Sequence, residues 1–147
     1  ADLKGKAAIA NARLAYQAFK VVYRGDRFAE LRAAGAMVQR PLWASTSTKD
    51  PAYCDVMYVE TLIGRDTVNT LPDATLRAFV DHGSASETLE AGVDAARQSL
   101  ASLESAGIDM DAVTSKLLTD GVKAFADAYD QLVAKLDVKR QQLIAAN

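Results

Sequence analysis

Two short strand-like runs, each leading through a polar loop into a helical pattern, constrain the fold of this chain more than any other feature. The first run covers residues 37–44, and the second, rich in β-branched residues, covers residues 67–71. A helical pattern lies between them, so the two strands are predicted to run parallel. Parallel sheets need cover on both faces and neighbouring strands, which two strands cannot supply. We therefore predict an α/β fold in which this chain forms part of a larger sheet, rather than a helical protein with a vestigial sheet.

Glycine, proline and aspartate residues divide the rest of the chain into helices. Apolar residues at spacings of three and four predict a first helix that Gly25 ends. Further helix starts and stops are marked by capping aspartates, first-turn prolines and terminal glycines: a start at Asp26 and a stop at Gly35, a start at Asp50-Pro51 and a stop at Gly64, a start at Pro72-Asp73 and a stop at Gly83, a stop at Gly107, and a start at Asp109.

These elements predict a single partial domain over residues 1–147 that is helix-rich when considered alone. Residues 1–35 are predicted to form helices that precede the first strand run. Residues 37–83 form two consecutive β/α units, and residues 84–147 form a helical cover. Pro41 lies inside the first strand run, which favours an irregular or bulged strand there because proline cannot donate to a ladder.

Composition excludes several functional classes. No run approaches the roughly 18 apolar residues typical of a membrane span. A single cysteine, Cys54, cannot form an internal disulfide, and a cytoplasmic, reducing setting is the expected one. Residues 1–49 carry nine Lys/Arg against three acidic residues, a net of +6 within a chain whose net charge is −2. This basic third either favours an anionic substrate or forms solvated helix faces; basic and aromatic residues are not interleaved as nucleic-acid binders require.

A cluster of hydroxyl side chains after the first strand is the main candidate site. Residues 45–49 read Ser-Thr-Ser-Thr-Lys. Hydroxyls, backbone N–H groups and an ammonium group at a strand end are what a phosphate oxygen needs. The loop lacks the glycines of a P-loop, so a nucleotide site is not predicted. An ordinary polar turn remains the alternative interpretation.

Other chemistry-bearing residues give weaker signals. Asn69 and Thr70 end the second strand run, and Trp43 is either a core residue or a pocket wall. His82, the single histidine, precedes Gly83 at a predicted helix end, where a polar or cationic residue suits the helix dipole. Cys54 is interpreted as a plain helix residue. No metal site is predicted, since one histidine and one cysteine make no recognisable ligand set.

The central stretch resembles the transaldolase family, in the longer subfamily found in actinobacteria, cyanobacteria and plastids. The resemblance rests on the WAST segment followed by Lys-Asp-Pro-Ala-Tyr, the Asp-Thr-Val-Asn-Thr segment with its following proline, and the Asp-His-Gly ending. The opening Leu-Lys-Gly-Lys-Ala-Ala-Ile-Ala-Asn-Ala and the late Gly-Ile-Asp and Asp-Gly-Val segments extend it over essentially the whole chain.

That resemblance implies a fold and an activity. The chain would be the C-terminal portion of a (β/α)8 TIM barrel, comprising its last two strands and their helices plus C-terminal helices. The family transfers a dihydroxyacetone unit between sugar phosphates of the pentose phosphate pathway through a lysine Schiff base, without a cofactor. The implied substrates are fructose 6-phosphate, sedoheptulose 7-phosphate, erythrose 4-phosphate and glyceraldehyde 3-phosphate.

The resemblance also assigns roles to residues. The family's catalytic lysine and carboxylates lie on earlier strands, so we expect no catalytic residue in this segment and expect the missing N-terminal barrel portion as a partner. Ser45 matches a residue that holds the substrate phosphate. Lys49 is the match for the basic residue that assists it, two positions later than in compact members. Trp43, Thr46, Asn69 and Thr70 are expected near the barrel mouth.

Two other functions stay open from the sequence. The chain could be a non-catalytic helical interaction module descended from a barrel. It could instead belong to the transaldolase half of a bifunctional transaldolase/phosphoglucose isomerase, an arrangement that some members of this subfamily have. Neither a membrane nor a nucleic acid is expected as a partner.

Overall fold

Six helices and two short strands make up the computed structural model, which describes residues 3–145. In chain order they are α1 (Ala7–Arg24), α2 (Asp26–Ala33), β1 (Leu42–Trp43), α3 (Met57–Glu60), β2 (Val68–Asn69), α4 (Asp73–His82), α5 (Val93–Ser105) and α6 (Met110–Ala145). The chain divides into two compact units, Ala1–Leu103 and Glu104–Asn147. Both strands lie in the first unit.

The two strands run parallel, as the sequence predicts. Leu42 is opposite Val68 and Trp43 is opposite Asn69. The amide of Val68 donates to the carbonyl of Pro41 at 2.9 Å. Since α3 and its flanking turns connect the strands, their carboxyl ends and the loops that follow lie at one edge of this small sheet.

Both strands are much shorter than the predicted runs 37–44 and 67–71. Only two residues of each strand are paired, and among the described residues each strand has a single partner. Pro41 has no N–H and contributes only its carbonyl to the ladder. Residues 37–40 are exposed and lie before the paired segment.

The core of the first unit forms between α1 and the segments that follow α3 and α4. Tyr16, Phe19, Leu62 and Leu89 are buried against one another, with Leu89 fully inaccessible. The Tyr16 hydroxyl donates to the carbonyl of Arg65 at 3.1 Å. Burial of this phenol raises its pKa above the ordinary 10.0. The hydrogen bond from Tyr16 to Arg65 fixes helix α1 against the segment that leads into β2.

Most helix ends lie at or near the predicted starts and stops. Gly35, at φ 93°, ends α2 by donating to the carbonyl of Arg32 at 2.9 Å, and only a residue that tolerates positive φ suits this turn. At the other end of α2, Gly25 rather than Asp26 occupies the N-cap, and Asp26 is the first helical residue. Asp26 therefore does not cap through its side chain, although its charge suits the first turn.

The predicted helix start at Asp50-Pro51 is wrong. The Asp50 carboxylate accepts the amide of Ala52 at 2.9 Å, and the carbonyl of Asp50 accepts the amide of Tyr53 at 3.1 Å. This side-chain bond competes with helical hydrogen bonding and holds the segment in turns. Regular helix is confined to α3, whose Val59 is buried, and it ends at Glu60 rather than at the predicted stop at Gly64.

The second unit contains the long helix α6. Asp109 accepts the amide of Ala112 at 3.0 Å and caps its start, as predicted. The helix runs unbroken for 36 residues. Ion pairs four residues apart, such as Lys116 with Asp120 at 2.8 Å and Lys123 with Asp127 at 2.7 Å, line one side of it. Within residues 3–145, no helix is both long enough and apolar enough to cross a membrane.

Candidate functional site

The polar loop that follows β1 begins with an unusual backbone conformation. Ser45 has a φ of 56°, in the left-handed region that non-glycine residues rarely adopt. The chain thereby turns sharply as it leaves the sheet. Such backbone strain persists where the surrounding structure imposes it, and it occurs often at ligand-binding sites.

A buried hydroxyl ties this loop to the neighbouring strand. The Thr46 side chain is 3% exposed, and its Oγ1 donates to Oδ1 of Asn69 at 2.9 Å. Asn69 is the last residue of β2. The bond therefore joins the ends of both parallel strands, and it fixes the position of the residues on either side of Thr46.

An open cavity of about 640 Å³ lies against this loop. Four of the residues predicted for the site line it: Trp43, Ser45, Thr46 and Lys49. Its opposite wall comes from α1, where small alanine side chains leave room above the loop. A volume of this size is typical of small-molecule sites.

Lys49 provides the positive charge of the cavity. Its Nζ donates to Oγ of Ser47 at 3.0 Å. Among the described residues it forms no ion pair with a carboxylate, so the ammonium group retains donors for a ligand. Hydroxyl groups and this ammonium group together can bind an anionic oxygen.

Trp43 forms a side wall of the cavity. Its indole Nε1 donates to the carbonyl of Leu62 at 3.2 Å, which holds the ring while leaving it half-buried. Trp43 therefore fills both roles that the sequence left open, core residue and pocket wall.

Two predicted residues do not line the cavity. Asn69 accepts a hydrogen bond from the Thr46 side chain of the loop. Thr70 donates its amide to the carbonyl of Trp43 at 3.0 Å, so it continues the strand pairing. Their contribution is to position the loop rather than to face its open space.

Sequence reasoning missed four polar residues that line the cavity: Asn11 of α1, Asp50, Tyr53 and Tyr58. Tyr53 packs over Gly5, where an added Cβ would lie 3.2 Å from the ring. Asn11 belongs to a helix whose pattern is mostly apolar, and the two tyrosines lie inside the helix predicted between Asp50-Pro51 and Gly64. Only the folded arrangement brings them to the same cavity as Lys49.

His82 and Cys54 lie outside this cavity. The imidazole Nε2 of His82 is 2.9 Å from Oδ1 of Asp55, and Nδ1 is 3.2 Å from Oδ2 of Asp81. The hydrogen bond that the His82 imidazole donates to the Asp55 carboxylate is the main reason why the pKa of His82 is raised above 6.5. The same bond lowers the pKa of Asp55. Cys54 is an exposed free thiol.

Comparison with known proteins decides the family. The model of the transaldolase/fructose-6-phosphate aldolase family matches residues 1–136. The chain belongs to this family. It is 49% identical over 134 residues to a transaldolase of Neisseria meningitidis, covering 91% of this chain and 38% of the relative.

Further relatives lie in the expected subfamily. Transaldolase 2 of Nostoc punctiforme is 50% identical over 139 residues, covering 93% of this chain and 36% of the relative. Transaldolase 1 of Streptomyces coelicolor is 50% identical over 133 residues, covering 90% of this chain and 35% of the relative. The predicted resemblance to transaldolases is thus confirmed. This transaldolase-family chain spans less than two-fifths of the length of these relatives.

Proposed function

We propose that this chain supplies the last two β/α units of a (β/α)8 transaldolase barrel and, with them, the site for the substrate phosphate. The observation that carries the proposal is the cavity at the carboxyl end of β1, where Ser45, Thr46 and Lys49 lie together. In barrel enzymes, ligands bind at this end of the strands. About half of the aligned residues are identical to those of proteins named transaldolase.

Within that barrel, residues 1–35 are the helices before the seventh strand and residues 37–83 are the last two units. Residues 84–147 form the helical cover. Pairing over only two residues supports the view that β1 and β2 need neighbouring strands. The remaining barrel strands are proposed as the partner of this segment.

The proposed division of labour follows from the residues present. The Ser45 hydroxyl and the Lys49 ammonium group hold the phosphate of fructose 6-phosphate or sedoheptulose 7-phosphate, with erythrose 4-phosphate and glyceraldehyde 3-phosphate as the aldehyde partners. Fixing the phosphate places the carbonyl end of the sugar away from this loop, toward the middle of the barrel. The Schiff-base lysine and the proton-transferring carboxylates belong to the earlier strands.

A chimera tests this proposal. The corresponding C-terminal 38% of the Neisseria meningitidis transaldolase is replaced by this chain, and the transfer of dihydroxyacetone is assayed. We expect an active enzyme in which Ser45→Ala and Lys49→Met raise KM for fructose 6-phosphate about tenfold each, while the reaction with unphosphorylated fructose is unchanged.

Thr48→Ala is the matched control, because Thr48 belongs to the same loop but does not line the cavity. Its KM should equal that of the unsubstituted chimera. Equal loss with phosphorylated and unphosphorylated sugars would overturn the phosphate role. A folded chimera without transfer activity would favour the non-catalytic interaction module instead.

A further inference from the structure

A second cavity, of about 560 Å³, lies at the opposite ends of the strands from the Ser45 loop. Arg40 lies two residues before β1, and Asp66 lies two residues before β2. Both line this cavity, together with Arg24 from the end of α1 and Arg32 from α2. We call it the arginine cleft, defined by Arg24, Arg32, Arg40 and Asp66.

From this cleft we propose a binding site for a small anion that carries two phosphate groups, separate from the site for the substrate phosphate. Three arginines and one aspartate line the cleft. An excess of positive charge in a concave site attracts multivalent anions. The planar guanidinium fork matches the oxygens of a phosphate group better than an ammonium does.

The single carboxylate does not neutralise the cleft. The nearest approach of Arg24 to Asp66 is 3.9 Å, and both side chains are more than half exposed. An exposed ion pair at this distance is weak, since water competes with it. Asp66 is therefore free to separate from Arg24 when a stronger anion binds.

Arg32 is held by contacts other than ion pairs, since no carboxylate among residues 3–145 pairs with it. Its Nη2 donates to the backbone carbonyl of Tyr23 at 2.6 Å, and its guanidinium lies 5.4 Å from the centre of the Phe28 ring. These two contacts fix the group while leaving its other N–H donors open. A positioned arginine of this kind loses little freedom on binding a ligand.

Arg40 has the most available charge in the cleft. Within residues 3–145 it forms neither an ion pair nor a hydrogen bond, and it is exposed. The rings of Phe19 and Tyr23 form an apolar wall beside it. The cleft therefore suits an anion with an adjoining apolar or planar body as well as pyrophosphate itself.

Pyrophosphate is the probe for the test, applied by titration calorimetry to the full chain at pH 7 and low salt. Every titration is done in two backgrounds, unsubstituted and Ser45→Ala/Lys49→Met. The second background weakens the substrate-phosphate loop, so binding that persists there belongs to another site. We expect one equivalent of pyrophosphate to bind in that background, with an affinity that falls as salt is added.

Arg40→Gln is the main variant, with Arg77→Gln as its matched control. Arg77 is an exposed arginine of α4 paired with Asp73 at 2.9 Å, away from the cleft. Arg40→Gln should weaken binding about tenfold, and Arg77→Gln should leave it unchanged. Arg40→Lys keeps the charge without the fork and should give an intermediate affinity.

The two proposals fail separately in this design. Loss of all binding in the Ser45→Ala/Lys49→Met background would overturn the cleft site and leave the phosphate loop standing. Equal affinities of the Arg40→Gln and Arg77→Gln chains would also overturn it. Loss of all binding in Arg24→Gln/Arg40→Gln, with no effect of the loop substitutions, would support the cleft and count against the loop.

Discussion

Thr46 Oγ1 lies 2.9 Å from Oδ1 of Asn69, and this bond connects the residues that leave the two parallel strands. Thr46 is nearly inaccessible to water. If a substitution removes its hydroxyl, water therefore cannot take its place as the hydrogen-bond donor to Asn69. The loop that carries Ser45 and Lys49 is therefore held by the sheet itself. Its geometry depends on β2 as much as on β1.

Thr46→Val is expected to lower the free energy of unfolding by about 1 kcal/mol, because the hydroxyl donor is lost while the shape is kept. Denaturant unfolding measures this, and a double-mutant cycle with Asn69→Ala isolates the pair. We expect a coupling energy of about 0.5–1.5 kcal/mol. Strict additivity of the two substitutions would show that the bond does not stabilise the loop.

The positive φ of Ser45 gives a prediction about the backbone alone. Ser45→Gly and Ser45→Ala both remove the hydroxyl, but only glycine adopts a φ of 56° without cost. The glycine variant should therefore be about 1 kcal/mol more stable than the alanine variant. Thermal or denaturant unfolding of the two chains provides the comparison, and an alanine variant of equal or greater stability would contradict the strained turn.

Gly64 allows a close approach that a larger residue would prevent. A Cβ at this position would lie 2.6 Å from Cδ2 and 2.8 Å from Cβ of Leu89, which is fully buried. Gly64→Ala should cost about 1–3 kcal/mol of stability through this overpacking.

Gly121 is the matched control for that substitution, since within residues 3–145 a Cβ added there in α6 would meet no atom within 4 Å other than its chain neighbours and its own helix backbone. Gly121→Ala should be neutral or stabilising by about 0.5–1 kcal/mol, as expected for a helix interior. Similar effects of the two substitutions on the unfolding midpoint would mean that Leu89 does not pack against Gly64.

The contact between His82 and Asp55 predicts a pH dependence of stability. Because the pKa of His82 is raised, its full contribution to the free energy of unfolding is present below pH 6.5. This contribution is lost as the pH rises through the raised pKa. The lowered pKa of Asp55 means that its contribution is complete above pH 3.8 and is lost as pH falls through the lowered value. The contact between His82 and Asp55 therefore stabilises the fold most between pH 3.8 and pH 6.5.

The single histidine of the chain makes this measurable by following its imidazole proton resonances against pH. Asp55→Asn should bring the pKa of His82 down toward 6.5, and Asp81→Asn should lower it less, since Asp55 is the larger influence. If Asp81→Asn lowered the pKa of His82 more than Asp55→Asn does, the result would contradict the order expected from the two distances.

Much of this fold could be predicted from local signals. Gly35 and Gly107 adopt positive φ and end helices where the sequence places stops. The parallel direction of the strands follows from the helical residues between them. Strand length could not be predicted, because the apolar run around Pro41 is typical of a strand in a complete sheet, whereas only two residues pair here.

The candidate site could be predicted only in part. The hydroxyl-rich loop after β1 is predictable from residue type and position, and four of the predicted site residues line one cavity. Its strained backbone at Ser45 has no signature in the sequence, since serine tolerates ordinary turns as well. The start of the helix after Asp50 was wrong because an aspartate before proline suits both a helix cap and the turn that forms here.

The most direct test of the phosphate loop is to titrate the isotopically labelled chain with fructose 6-phosphate and, separately, with fructose. The observed signals are the backbone amides of residues 45–47 and the indole N–H of Trp43. We predict saturable shifts of these signals with fructose 6-phosphate and none with fructose. Unchanged loop amides with the phosphorylated sugar, or equal shifts with both sugars, would contradict a phosphate site at Ser45 and Lys49.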